Sequence, residues 1–113
     1  MADLVYIDVE DGSKRVMNNI KLYVKLLLKF KDDDNIKKIE SALAAGDLPN
    51  AQNSTHTLKG LSANLSLIEL NKQVKELEAQ IKAASVNPDQ FEIVKTVYSQ
   101  TIAEIEKVIA QYA

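Results

Sequence analysis

Cysteine is absent from the 113-residue chain, which also contains only three glycines, two prolines and one histidine. Without cysteine there can be no disulfide, no thiolate nucleophile and no cysteine-bound zinc. The scarcity of glycine and proline argues against a fold built on many tight turns, and long stretches lack the alternation of Val, Ile and Thr that is typical of strands. These absences predict an all-α protein.

The composition is that of an ordinary globular domain. With 46% hydrophobic and 27% charged residues, the chain predicts one domain over residues 1–113, divided into a lead-in of about 1–18 and a bundle of about 19–112. The net charge is -2 and the lysines are dispersed, so the sequence shows no basic patch that could bind nucleic acid. The expected partners are therefore proteins. The acidic N-terminus is unlike a secretory signal, and Leu26–Leu28 is too short to cross a bilayer. We expect a cytoplasmic monomer without membrane contact.

Helix signals begin in the N-terminal half. The turn and cap residues Asp11, Gly12 and Ser13 predict a short helix starting near KRVM. A helix over 19–31 follows from the spacing of Ile20, Tyr23, Leu27 and Phe30, and its additional leucines imply burial on more than one side or a docking surface. Asp32, Asp33 and Asp34 could bind a cation, but they better suit the cap of a helix that ends at Gly46.

Three further helices complete the pattern. Asp47 and Pro49 open a helix over about 48–65. The capping box Ser66-Leu67-Ile68-Glu69 predicts a helix from about Leu67, with a stripe that runs to Ala84. Asn87-Pro88 opens the last helix, whose stripe consists of Phe91, Val94, Tyr98, Ile102, Ile105, Ile109 and Tyr112. Four amphipathic helices of 12 to 25 residues joined by short connections predict an antiparallel up-and-down four-helix bundle, with the lead-in across one end.

The single histidine lies on the 48–65 helix. On a helical wheel centred on Leu58, the residues within roughly 60° form a core-facing stripe of Ala51, Ser54, Thr55, Leu61, Ser62 and Leu65. His56 lies roughly 160° from Leu58, with Gln52 and Ala63 on one side and Asn53 and Gly60 on the other. The wheel therefore predicts that His56 points to solvent.

An exposed histidine is commonly an ordinary surface residue, but the neighbours of His56 favour a function. A glycine inside a helix costs about 1 kcal/mol relative to alanine, and Gly60 with Ala63 would let another protein approach the ring. Lys59 would place positive charge beside an anionic group on His56. A metal site is disfavoured because no Cys, second His or acidic residue at i+3 or i+4 shares this face.

The segment STHTLKGLSANL at residues 54–65 resembles the signature of histidine-containing phosphotransfer (HPt) domains, roughly His-x-Leu-Lys-Gly followed by small residues. Segments similar to those of the family also occur in order at 22–30, 43–47 and 74–78, so the resemblance covers about residues 16–84. Many members carry glycine where this chain has Ala63 and Ser66. These departures leave His56, Lys59 and Gly60 unchanged and concern partner preference.

The resemblance implies an antiparallel four-helix bundle in which His56 accepts a phosphoryl group from the aspartyl phosphate of one receiver domain and donates it to another. Lys59 would stabilise the phosphoryl group, while Gly60, Ala63, Gln52 and Asn53 would form the docking surface. The implied partners are response-regulator receiver domains and a hybrid or sensor histidine kinase. The receiver would supply Mg2+, and this chain would bind no cofactor or metal of its own.

Two other functions remain open from the sequence. A helical adaptor would dock a receiver or another protein without phosphotransfer, but it would not need a nucleophile such as His56. An autonomous hydrolase would need a second residue to act with the histidine as a dyad or triad, and the sequence shows no recognisable one. A phosphoryl carrier, rather than an autonomous kinase or hydrolase, is the favoured hypothesis.

Overall fold

The computed structural model describes residues 5–112, and within that range the fold is entirely helical. In chain order the helices are α1 Val9–Lys14, α2 Ile20–Phe30, α3 Asn35–Ala44, α4 Leu48–Asn64, α5 Ile68–Lys82 and α6 Pro88–Tyr112. The all-α prediction is confirmed. None of these helices is both long enough and apolar enough to span a membrane.

The helices pack as an antiparallel bundle. α4 packs against α3 and α5, α5 packs against α6, and α2 packs against α6. α2 and α3 both contact α6. The rings of Phe30 in α2 and Tyr98 in α6 are tilted at 45° with centroids 5.8 Å apart, and Glu40 of α3 accepts a 3.0 Å hydrogen bond from Lys95 of α6. α3 and α5 are the helices on either side of α4, while Tyr23 of α2 donates to the backbone carbonyl of Leu65 at the end of α4.

The core is a hydrophobic cluster to which every helix from α2 to α6 contributes. Tyr23, Leu58 and Val74 are among its fully buried members, and the other large ones that are completely inaccessible are Leu27, Ile39, Leu67, Leu70, Leu77, Val94 and Ile105. The predicted stripes of α2, α4 and α5 supply most of this cluster. On α6 the buried stripe runs instead through Val97 and Thr101, while Tyr112 is exposed, so the predicted α6 stripe is only partly correct.

Local capping explains where most helices begin. The carboxylate of Asp47 accepts a hydrogen bond from the backbone N–H of Asn50, and the side-chain oxygen of Asn87 accepts one from that of Asp89. Among the three aspartates it is Asp33 that accepts from the backbone of Asn35, whereas Asp34 makes no side-chain cap bond. The predicted capping role is thus confirmed for Asp33 alone, and no acidic residue lies in the first turn of α3.

The start of α1 differs from the prediction. The helix begins at Val9 with Asp8 as its cap, so Asp11, Gly12 and Ser13 lie inside the helix rather than before it. A helical glycine is used here because a Cβ at position 12 would lie 2.4 Å from the ring of Tyr23. Close packing against an aromatic ring, rather than a turn, explains this glycine.

The predicted capping box between α4 and α5 is also wrong. Ser66 has φ of 56°, and its hydroxyl donates to Asp11 Oδ2 at 2.5 Å, while Glu69 accepts from Gln73. Leu67 is the residue at the N-cap and makes no side-chain cap bond. The left-handed backbone at Ser66 gives a physical reason for the glycine that many family members carry there. α5 ends at Lys82, so Ala84 lies beyond the helix and does not extend its stripe.

Candidate functional site

His56 lies near the middle of α4, on the face turned away from the core. Its side chain is 69% exposed, whereas Ala51, Thr55, Leu58 and Ser62 on the opposite face are buried. The wheel prediction for His56 is confirmed. The imidazole is accessible to a large partner, while the helix that carries it is held by its buried side.

A carboxylate from the neighbouring helix contacts the ring. Glu78 of α5 places Oε2 3.0 Å from His56 Nδ1, and the Glu78 side chain is only 4% exposed. An ionised carboxylate can only accept a hydrogen bond, so this contact assigns the proton to Nδ1. The lone pair of the neutral ring is then on Nε2.

The other oxygen of Glu78 is surrounded by ammonium groups. Lys59 Nζ donates to Glu78 Oε1 at 2.5 Å, and Lys82 Nζ lies 3.8 Å from the same oxygen. Burial by itself would raise the pKa of Glu78, but the hydrogen bonds from Lys59 and His56 and the charges of the two lysines outweigh it, so this pKa lies below its ordinary value. Glu78 is therefore an anion at neutral pH.

A small polar network fixes the register of α4 against α5 beside this cluster. The side-chain amide of Asn71 in α5 donates to the backbone carbonyl of Lys59 at 3.0 Å and to Ser62 Oγ at 3.2 Å. Ser62 itself donates to the carbonyl of Lys59 at 2.9 Å. These bonds join the backbone at Lys59 to α5, which also carries Glu78, and so stabilise the spacing between the two helices at the site.

The predicted docking residues share the face of His56. Gly60, Ala63 and Asn53 are exposed and Gln52 is half-buried. A Cβ built on Gly60 would meet no other atom within 4 Å, so packing inside this chain does not require a glycine there. The open space beside the ring is consistent with approach of a partner.

The structure adds three residues that the sequence interpretation gave no role: Glu78, Lys82 and Asn71. A helical wheel of α4 shows only the neighbours of His56 on its own helix, and Glu78 comes from the next one. The one feature of the sequence that pointed to Glu78 is its position in the segment 74–78, which is similar to a segment of the family. Glu78 forms a hydrogen-bonded pair with His56 across the contact between α4 and α5.

Within residues 5–112 no group of three or more His, Asp or Glu side chains is arranged to hold a metal ion. The exposed apolar residues of α2 are Leu22 and Leu28, whereas Leu26 is half-buried. Leu26 lies beside a cavity of about 840 Å³ that also touches Leu61 of α4. The α2 leucines thus divide between the core, this cavity and the surface.

Comparison with known families gives one result that covers most of the chain. A family model described as the Hpt domain matches residues 27–111, a range that includes His56 and every other residue of the cluster described above. Neither the comparison with curated proteins nor that with solved structures gives a match. Because the family model spans well over half of the chain and the fold is the helical bundle that the resemblance implies, the chain belongs to the Hpt-domain family, whose members take part in histidine phosphotransfer within phosphorelays.

Proposed function

We propose that this chain is a phosphorelay intermediate that accepts a phosphoryl group on His56 from the aspartyl phosphate of one receiver domain and passes it to another. The observation that carries the proposal is the exposed imidazole whose Nδ1–H is hydrogen-bonded to Glu78. That bond leaves Nε2 as the nucleophilic nitrogen on an open surface.

The transfer step follows from this tautomer. Nε2 attacks phosphorus, the N–P bond forms, the O–P bond to the receiver aspartate breaks, and the aspartate leaves as a carboxylate. The proton remains on Nδ1, so the ring gains a positive charge while the phosphoryl group keeps its two negative charges. Glu78 stabilises this imidazolium as it develops, because a carboxylate behind a histidine favours the charged ring. Return of the group to a second receiver reverses the same steps.

Lys59 and Gly60 have complementary roles in the proposal. Lys59 is a cation one helical turn from His56 and compensates negative charge on the phosphoryl group. Gly60 keeps the neighbouring surface free of side-chain atoms, so that the receiver aspartate can reach Nε2. The receiver would bring Mg2+ and most of the catalytic groups, and this chain would bind no cofactor of its own.

Family membership supports receiver domains and a sensor or hybrid histidine kinase as the class of partners. The cytoplasmic location predicted from the sequence is a separate proposal. Gln52, Asn53, Gly60 and Ala63 are proposed as the docking surface around the ring. Leu28, which is 47% exposed on α2, is proposed as an outlying apolar contact, and Leu28→Glu should slow transfer without loss of helicity.

The experiment is transfer from a receiver domain that carries a radiolabelled aspartyl phosphate. We expect the label on this chain to be labile in acid and stable in base, as a phosphoramidate is. His56→Gln should abolish labelling while the helical circular dichroism is unchanged. Thr57→Ala is the matched control, since Thr57 is exposed next to the histidine and its loss should leave labelling intact.

Two results would contradict the proposal. Label retained on His56→Gln would show that another residue accepts the group. Receiver binding without any labelling of the wild-type chain would instead indicate an adaptor that docks receivers without phosphotransfer, and His56→Ala should then leave binding unchanged.

A further inference from the structure

Two lysines approach the same oxygen of one nearly buried carboxylate. Lys59 of α4 donates to Glu78 Oε1 at 2.5 Å, and Lys82 lies 3.8 Å from that atom. Lys82 is the last residue of α5, four residues after Glu78, and its side chain is 55% exposed. The second lysine is thus close to Glu78 but is not yet within hydrogen-bond distance.

This arrangement raises a difficulty for the proposed function. Lys59 is bonded to Glu78, yet it must compensate the phosphoryl group once His56 is modified. If Lys59 turned away with no substitute, Glu78 would keep only the His56 N–H as a donor while being 4% exposed. A carboxylate that is buried and incompletely paired is strongly unfavourable.

We propose that Lys82 replaces Lys59 at Glu78 when His56 is phosphorylated, which frees Lys59 to bind the phosphoryl group. This inference rests on the proposed function. A shift of about 1 Å brings Lys82 Nζ from its present distance into hydrogen-bond range, and the flexible, mostly exposed lysine side chain permits it. Lys82 is then a positioning residue, which acts on Glu78 and not on the phosphoryl group itself.

The charges of the site agree with an exchange of partners. Before phosphorylation the carboxylate faces two ammonium groups, and the ring in the neutral form that acts as nucleophile adds no charge, so one cation is in excess. After phosphorylation the dianionic phosphoryl group and the carboxylate face two ammonium groups and an imidazolium, and the charges balance. Removal of Lys82 would leave the phosphorylated site with an excess negative charge, which specifically disfavours the phosphorylated form.

The test is the equilibrium constant for phosphoryl exchange between a receiver domain and this chain. This constant depends on the free and phosphorylated forms of the two proteins and not on how well they dock. We expect Lys82→Gln to shift the equilibrium toward the phosphorylated receiver by about three- to tenfold, since a partly exposed ion pair is a modest contribution that is larger when one partner is buried. Lys82→Arg should restore most of the wild-type value.

Lys72→Gln is the control, because Lys72 is an exposed lysine on the same helix and its removal changes the net charge equally. It should leave the equilibrium nearly unchanged. Thermal denaturation of the unphosphorylated variants measures any purely structural role of Lys82 at the C-terminus of α5, where a cation also favours the helix dipole. A purely structural role would lower the stability of the free and phosphorylated forms equally, so the exchange equilibrium would not move.

Repeating the measurement in a Glu78→Gln background separates the mechanisms. If Lys82 acts through Glu78, Lys82→Gln should have little further effect there. An undiminished effect in that background would mean direct contact with the phosphoryl group and would overturn the inference, as would a Lys82→Gln equilibrium equal to that of Lys72→Gln. Failure of the wild-type chain to accept any label would instead refute the proposed function, and the inference with it.

Discussion

Glu78→Gln is the substitution that most directly tests how the site works. The amide has nearly the same shape as the carboxylate, and its oxygen can still accept from His56 Nδ1–H. Its NH₂ group, however, would face the ammonium group of Lys59, so that a donor meets a donor. The variant should keep the helical fold and lose the charge that stabilises the imidazolium.

The expected loss of rate follows from the exposure of the ring. A buried carboxylate behind a catalytic histidine contributes up to about 10⁴-fold in rate. The His56 side chain is 69% exposed, so water already solvates much of the developing charge. We therefore expect transfer from a phosphorylated receiver to slow by about 10- to 100-fold, which corresponds to about 1.4 to 2.7 kcal/mol of transition-state stabilisation.

The assay is single-turnover transfer followed by rapid quenching, with Glu76→Gln as the matched control. Glu76 lies on the same helix but is exposed, and its carboxylate accepts only from Gln80 among the described hydrogen bonds, so its loss should leave the rate unchanged. A Glu78→Gln rate within about twofold of wild type would refute the idea that the carboxylate takes part in the transfer step.

The pH dependence of stability provides a second test of the role of Glu78. The pKa of Glu78 is depressed in the folded protein, so its contribution to the free energy of unfolding is complete above the unfolded value of about 4.3 and is lost as the pH falls through the lower folded value. The difference in unfolding free energy between the wild type and Glu78→Gln should therefore shrink as the pH falls below about 4.3. A constant difference in urea denaturation from pH 6 to pH 3 would contradict the depressed pKa.

Three further substitutions test other parts of the molecule. Gly60→Ala should raise the unfolding free energy by about 0.5–1 kcal/mol in thermal denaturation while slowing phosphotransfer, and unchanged transfer would show that the glycine is not needed for docking. Gly12→Ala should destabilise the protein by about 1–3 kcal/mol because the new Cβ collides with Tyr23, and a neutral result would mean that α1 moves freely on α2. Ser66→Gly should be more stable than Ser66→Ala by about 1 kcal/mol, since both lose the bond to Asp11 but only glycine tolerates the positive φ without strain.

Much of the fold could be predicted from local sequence patterns. The helical spacing of Tyr23, Leu27 and Phe30 predicts which face of α2 is buried, and the caps at Asp47 and Asn87 predict where two helices start. These features depend on residues within one or two helical turns of each other. Such patterns are visible in a single sequence because the chain itself places those residues together.

The errors arose where a distant segment decides the local structure. Ser66 and Glu69 have the spacing of a capping box, but the hydroxyl of Ser66 bonds instead to Asp11, which is far away in the sequence. Gly12 and its neighbours Asp11 and Ser13 are residues typical of a turn, but Gly12 lies inside α1. A glycine occurs there because the ring of Tyr23 leaves no room for a Cβ. Local sequence rules consider only nearby residues, whereas the roles of Ser66 and Gly12 are decided by contacts with residues that are distant in the sequence.

The same distinction runs through the candidate site. Exposure of His56 and its proximity to Lys59 and Gly60 follow from the periodicity of α4 alone, and they were predicted. Glu78 could not be placed beside His56 without the register of α5 against α4, which is held by the bonds of Asn71 to the backbone of α4. The accessible groups of the site are thus encoded within one helix, while the buried group that orients the histidine depends on the contact between two helices. Substitutions that shift this contact, such as Asn71→Ala, should therefore weaken transfer even though Asn71 lies outside the reacting atoms.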